Sequence, residues 1–222
     1  MAIEVHQIIR SKRKTLALIV KPDGSLIVRA PLRTSEKTIR EFVEKNRQRI
    51  EKNQAKARST PTSAPKQYLP GETFIYLGTP YPLEIVVEQK KSLLLDENFK
   101  LAKSAQSDAA LAFEHWYRIQ ARQILIERVN FYAKQCSFQY KKIGITSART
   151  RWGSCSVTGS LNFAWRLIMA PLEVVDYVVV HELVHTVFHN HSKHFWHRVE
   201  KIMSDYKERR NWLRRNGQQL FL

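Results

Sequence analysis

Cysteine is scarce in this chain, with only Cys136 and Cys155 among 222 residues. Two thiols cannot build the disulfide framework of a small secreted scaffold, so a buried core must carry the fold and a reducing cytoplasm is the expected location. Long apolar runs are also missing; none approaches the ~20 residues that a membrane-spanning helix needs. The opening residues Met1-Ala2-Ile3-Glu4-Val5-His6 lack a basic segment followed by an apolar one, so no secretory signal is expected. No internal repeat is visible. Acidic residues are in short supply, with 20 Asp+Glu against 37 Lys+Arg and a formal net charge of +17. Such a field attracts polyanions. The charge is dispersed, however, over Arg10 to Lys14, the segment after Thr34, and Arg209, Arg210, Arg214 and Arg215, with no nucleic-acid motif beside it.

What is present is enough apolar material for a globular fold: 43% hydrophobic and 10% aromatic residues. Thr15–Val20 and Ser25–Ala30 read as strands around Lys21-Pro22-Asp23-Gly24. There proline fixes φ and glycine accepts a positive φ, which predicts a hairpin. Thr34 or Ser35 can cap one helix from Glu36 to Arg58, with Ile39, Phe42, Val43 and Ile50 on one side. Ser59 to Pro70 holds three prolines and reads as a connector. Two short strands are expected around Gly78-Thr79-Pro80, and a strand pair in Lys91–Leu101. From Ser107 to Gln135 the pattern is helical, with Leu111, Trp116, Ile119, Ile124, Leu125 and Val129 at its apolar positions. Strands follow at Ile143–Ser147, Arg151–Ser156 and Leu161–Ile168, the last two joined through Val157-Thr158-Gly159-Ser160. A final helix is expected from Lys193 to Leu213. The boundaries divide the chain into 1–70, 71–106 and 107–222.

The chemistry concentrates in His181-Glu182-Leu183-Val184-His185, and six of the eight histidines fall between His181 and His197. On a helix, i and i+4 lie one turn apart on one face, so both imidazoles can reach one ion. This requires Val174–Val180 to be helical despite its β-branched residues, with burial overriding a modest propensity penalty. Glu182 then stands beside the metal, where a general base belongs. The third ligand is open among His189, His191, His194 and His197, or a carboxylate such as Glu200. His189 is disfavoured, since eight helical residues carry it about 12 Å along the axis. His191 is the first histidine past a bend at Phe188-His189-Asn190, where asparagine tolerates a left-handed backbone. The spacing HExxHxxxxxH equals that of the metzincins, although Phe188 replaces their turn glycine. Three protein ligands leave one position for water, as in catalytic zinc. Cys155 is an alternative fourth ligand that would close the site.

Four motifs carry a resemblance: Arg151-Trp152-Gly153-Ser154-Cys155-Ser156, Asn162-Phe163-Ala164-Trp165-Arg166-Leu167, Val178 through His185, and Asn190-His191-Ser192-Lys193-His194-Phe195-Trp196. In this order the chain resembles the YgjP-like metallopeptidase family, which is related to the SprT-like and WLM zinc peptidases. The resemblance implies an α+β fold: a β-rich N-terminal region with a helix, then a zincin-like metallopeptidase domain with an HExxH active-site helix. It implies one zinc per chain on His181, His185 and His191, Glu182 as the catalytic residue, and hydrolysis of protein or peptide substrates by a zinc-activated water. Arg151, Arg166 and Tyr177 are candidate oxyanion donors. The competing classes are a nucleic-acid-associated protein with structural zinc and a zinc hydrolase of another bond.

The surplus of positive charge predicts weak nucleic-acid binding without sequence preference. Contacts to phosphates release counterions, so affinity for a labelled duplex should fall steeply between about 50 and 200 mM salt. Absence of binding at the lower salt would leave the basic surface with a solubilising role only.

Overall fold

The computed structural model describes residues 3–21, 23–59 and 65–222. Pro22 of the expected first turn and residues 60–64 of the expected connector lie outside the described residues. Contacts divide the chain into two compact units, Met1–Ala64 and Pro65–Leu222. Six helices and three sheets give a mixed α+β architecture among the described residues.

The first unit contains β1 (Gln7–Ser11), β2 (Ala17–Val20) and β3 (Leu26–Pro31), in the order β1-β3-β2. β2 and β3 form the expected antiparallel hairpin, and β1 joins β3 in parallel. Leu26, Val28 and Ala30 alternate along β3, so one strand face packs with Ile39, Val43 and Ile50 into a small core. Those three come from α1 (Glu36–Lys45) and α2 (Arg47–Ser59), not from one helix as the sequence predicts. Asn46 makes the break. Its side-chain amide donates to the Phe42 carbonyl at 2.8 Å, the acceptor its own backbone N–H would use in a continuous helix. The backbone N–H turns to Val43 instead, at 3.1 Å. Ser35 caps α1 by accepting the Thr38 N–H.

The second unit begins with β4 (Thr73–Tyr76) and β5 (Thr79–Val86), then β6 (Leu93–Leu95) and β7 (Phe99–Ala102), in the order β4-β5-β7-β6. Leu77 and Gly78 close the first hairpin with φ of 47° and 84°, the left-handed pair of a tight two-residue turn. Its tip is hydrogen-bonded elsewhere as well: Leu77 N–H donates to Ile168 and Gly78 N–H to Met169. A Cβ on Gly78 would meet Pro171 Cγ at 2.9 Å, so glycine also serves this close approach.

α3 (Ala109–Cys136) spans the unit. Its buried stripe is Phe113, Tyr117, Ala121, Leu125, Val129 and Ala133. Spacing of four holds that stripe to one face. Leu111 and Ile119, expected among the apolar positions, are instead 67% and 50% exposed. β8 (Lys142–Thr146), β9 (Gly153–Cys155) and β10 (Ser160–Ala164) form the third sheet, ordered β8-β10-β9, which leaves β9 at an edge. The strand expected to run to Ile168 stops at Ala164. Trp165–Met169 forms a 3₁₀ turn in which every residue is buried.

α4 (Leu172–Val184) follows, and Val174 to Val180 are helical despite their β-branching. The expected last helix is two, α5 (Lys193–Ile202) and α6 (Tyr206–Asn216). Between them Met203 is extended, with φ −146° and ψ 91°. This bend buries both Met203 and Tyr206, and the Tyr206 ring stacks on Trp196. Among the described residues no helix is long and apolar enough to cross a membrane.

A polar contact joins α3 to α4 inside the core. Arg128 of α3 grips Asp176 of α4 with two hydrogen bonds of 2.6 and 2.8 Å, and Tyr132 adds a third at 3.1 Å. Removing one partner of such a pair strands a charge, which typically costs about 3–5 kcal/mol. Arg128→Met is therefore expected to lower unfolding stability by about 3 kcal/mol in urea titration, while a loss below about 1 kcal/mol would contradict this anchoring role.

Candidate metal centre

The last turn of α4 carries His181 and Glu182, and His185 follows as the C-cap with helical φ −65° and ψ −16°. His181 and His185 thus keep the one-turn relation that the sequence requires. Their ring centroids are 4.8 Å apart. The helix ends at Val184, earlier than the expected bend. Thr186 terminates it, donating both its backbone N–H and its hydroxyl to the Leu183 carbonyl. No residue from 185 to 192 takes the left-handed backbone expected at Asn190. Asn190 acts through its side chain, accepting the Ser192 N–H, and Ser192 caps α5 by accepting from Phe195. His191 lies on this short approach to α5.

These three histidines meet. His191 Nε2 is 3.0 Å from His181 Nε2 and 3.2 Å from His185 Nε2. His185 Nδ1 faces the Phe188 carbonyl at 2.9 Å and donates to it, since a carbonyl only accepts, which turns Nε2 toward the other two histidines. One proton on His191 cannot serve both of its neighbours. A single cation between the three would satisfy all of them. Nitrogens about 2.05 Å from a tetrahedral zinc sit ~3.3 Å from each other, close to the separations here. Burial first, then the neighbouring His185 and His191, push the His181 pKa down to about 3, so it is a neutral donor. The donor set therefore fits a metal. Among the described residues, His181, His185 and His191 are the group able to hold one; His189, His194, His197, Glu200 and Cys155 are not part of it.

The aromatic residues of α5 hold the imidazoles in place. Phe195 is fully buried, with its ring centroid 4.5–4.9 Å from those of all three histidines. Trp196 stacks on His191 and on Tyr206, and Arg210 lies over the Trp196 ring at 4.6 Å. In the sequence Phe195 and Trp196 stand out only as part of a motif. Their position three and four residues after a serine cap was the available signal for inward placement.

Glu182 is 5% exposed and has no hydrogen-bond partner among the described residues. Burial pushes its pKa up to about 7, opposed by the nearby Arg151 guanidinium. The carboxylate lies in a notch that only glycine provides: a Cβ on Gly153 of β9 would stand 2.5 Å from Glu182 Oε1 and 2.6 Å from its Cγ. Cys155, two residues along β9, has its thiol pKa raised by burial and then by Glu182. The Tyr177 ring centroid is 5.9 Å from that of His181, and burial raises its hydroxyl to about 12, keeping it protonated. Arg151 is exposed, whereas Arg166 is 7% exposed beside Trp165.

Three imidazoles thus converge on one point, and the residue after His181 is a buried carboxylate. A profile of the YgjP-like metallopeptidase domain matches residues 14–216, so the chain belongs to the YgjP-like metallopeptidase family. No curated protein and no solved structure matches it. Membership implies a hydrolase with a metal and with protein or peptide substrates.

The notch yields a test. Gly153→Ala should force Glu182 to rotate away while leaving the three histidines untouched. The expected outcome is full metal content with hydrolysis reduced by about 10²-fold or more, the scale of a displaced general base. Unchanged turnover of a peptide library by Gly153→Ala would show that the contact has no catalytic consequence.

Proposed function

We propose that this protein is a zinc-dependent peptidase of zincin-like architecture that holds one zinc per chain on His181, His185 and His191 and uses Glu182 as general base. The observation that carries this reading is the convergence of three Nε2 atoms beside a buried, unpaired carboxylate. A zinc bound there supplies positive charge that acidifies a water molecule and polarises a peptide carbonyl.

The chain's own residues do the rest. Glu182, whose basicity burial raises, is placed to accept a proton from the attacking water and to return one to the leaving amine. No hydrogen-bond donor among the described residues competes with water for that carboxylate. The protonated Tyr177 hydroxyl, on the helix face of His181, is a candidate donor to the developing oxyanion. β9 is an edge strand and presents Gly153 to Glu182, so an extended substrate adding along that edge would bring its backbone to the carboxylate. A closed structural site has no use for such a base, and this favours the catalytic reading.

One experiment tests ligands and base together. Metal analysis should find one zinc per chain in the wild type and strong depletion in the alanine variants of His181, His185 and His191. Glu182→Gln should keep its zinc and lose about 10²–10⁴ in peptide hydrolysis, because glutamine is nearly isosteric but cannot take the proton. Full zinc affinity in His191→Ala, or an active Glu182→Gln, would overturn the assignment concerned.

A further inference from the structure

Arg166 sits immediately after β10, at the start of the Trp165–Met169 turn, and is only 7% exposed. Its Nε is buried with no partner, and so is the indole Nε1 of the adjacent Trp165. The guanidinium lies 4.1 Å over the Trp165 ring and 5.6 Å from the Phe221 ring. Its one hydrogen bond is a long 3.5 Å contact to the Ser147 carbonyl. No described carboxylate pairs with it. Glu114, the nearest candidate, is already engaged by Arg118 at 3.5 Å and by the Ser147 hydroxyl. Its electrostatic neighbours are Arg149 and Arg118, which oppose its charge, and Glu114, which favours it from beyond ion-pair distance.

A buried guanidinium without an ion-pair partner is costly, because an anion that does not touch it repays little of the desolvation. Around Arg166 stand two cations and one carboxylate, Glu114, which is committed to Arg118 and Ser147 and makes no ion pair with Arg166. The vacancy therefore matches an anion that arrives with a ligand. Its placement identifies the ligand. Phe163 of β10 pairs with Gly153, the residue against Glu182, and Arg166 is three residues further along the same chain. The loop ahead of β9 joins the two places: Arg151 acts on Glu182, and Arg149 on Arg166.

We propose that Arg166 forms a subsite for a carboxylate carried by the substrate polypeptide. The assignment rests on the peptidase reading above. The planar fork of arginine matches a carboxylate bidentately, and the aromatic floor holds that fork flat. A nucleic-acid backbone fits poorly here, since the guanidinium is nearly enclosed and a phosphate within a strand cannot leave its neighbours to reach it. A terminal or side-chain carboxylate on a flexible peptide can.

The test is a binding measurement that needs no turnover, made by calorimetry on zinc-loaded Glu182→Gln protein. The probes are acetyl-trialanine with a free C terminus, the same peptide amidated, and an amidated version with aspartate third. The free acid or the aspartate peptide should bind roughly tenfold more tightly than the neutral amide, the worth of a charge-assisted pair. Which of the two does so identifies the carboxylate as terminal or side-chain. The preference should vanish in Arg166→Met and shrink in Arg149→Ala; the latter residue is exposed and its loss leaves the fold intact. Without peptide, Arg166→Met should melt no lower than its parent, whereas a merely structural cation would lower the melting temperature on removal. Equal affinity for all three peptides overturns the proposal. So does a preference that survives both substitutions, since the carboxylate would then sit on the metal. A single-stranded oligonucleotide whose binding depends on Arg166 while the peptide preference does not would also overturn it, in favour of a phosphate. Failure of the wild type to hydrolyse any peptide would count against the peptidase reading and leave these affinity ratios standing, so the two failures are distinguishable.

Discussion

The rest of the second unit depends on the burial of α4. From Val174 to Val184 every residue except His181 is buried, six of them valines. Valine costs a few tenths of a kcal/mol per residue in a helix, whereas full burial of its side chain returns about 1.5–3 kcal/mol. Burial decides the contest, and the segment is helical because it is enclosed. Enclosure also leaves the helix little freedom to slide or rotate. The tip of the β4–β5 hairpin is bound to the residues entering α4, and Arg128 holds Asp176 from α3. An i, i+4 histidine pair at the end of so constrained a helix is placed without needing a metal to organise it.

The third histidine is placed by a different device. It comes from a short segment between two helices, where backbone alone would leave it loose. The serine cap of α5 fixes where that helix begins, and the third and fourth residues after the cap are Phe195 and Trp196. One forms the floor under all three imidazoles, and the other stacks on His191. Apolar walls depress the basicity of His181 and raise that of Glu182 through one physical cause, desolvation of the charged form. The same enclosure thus supplies neutral donors and a carboxylate able to hold a proton near neutrality.

Much of this was legible in the sequence, and the parts that were not have physical reasons. The β2–β3 hairpin, the β4–β5 and β6–β7 pairs and the long α3 followed from local turn chemistry and periodicity. Helix breaks were missed where the cause is a single side chain competing for a backbone acceptor, as Asn46 does for Phe42, or where tertiary packing draws Met203 and Tyr206 inward. The strand signal in Leu161–Ile168 failed after Ala164 because a continuous apolar run reads alike for a buried strand and a buried 3₁₀ turn. The convergence of His181, His185 and His191 was readable from spacing, since it needs only helix geometry and one bend. How that bend is made was not: Thr186 ends the helix early, and no left-handed residue is used. Gly153 was visible only as a letter in a motif. A glycine inside a strand signals close approach of another group, but only the fold identifies that group as Glu182.

Two buried charged groups of opposite sign, Glu182 and Arg166, both lack an ion-pair partner among the described residues, although one pair of strands links them. A chain selected for stability alone would neutralise such groups, with each other or with neighbours. Here the single loop between β8 and β9 brings an arginine near each, and neither contact is a salt bridge. The arrangement keeps the acid basic and the cation open. It has a stability cost that the buried valines of α4 and the Arg128–Asp176 grip are well placed to offset. Rules of packing and pairing are broken at these positions and observed around them, which is the pattern expected when local strain is concentrated where chemistry is done.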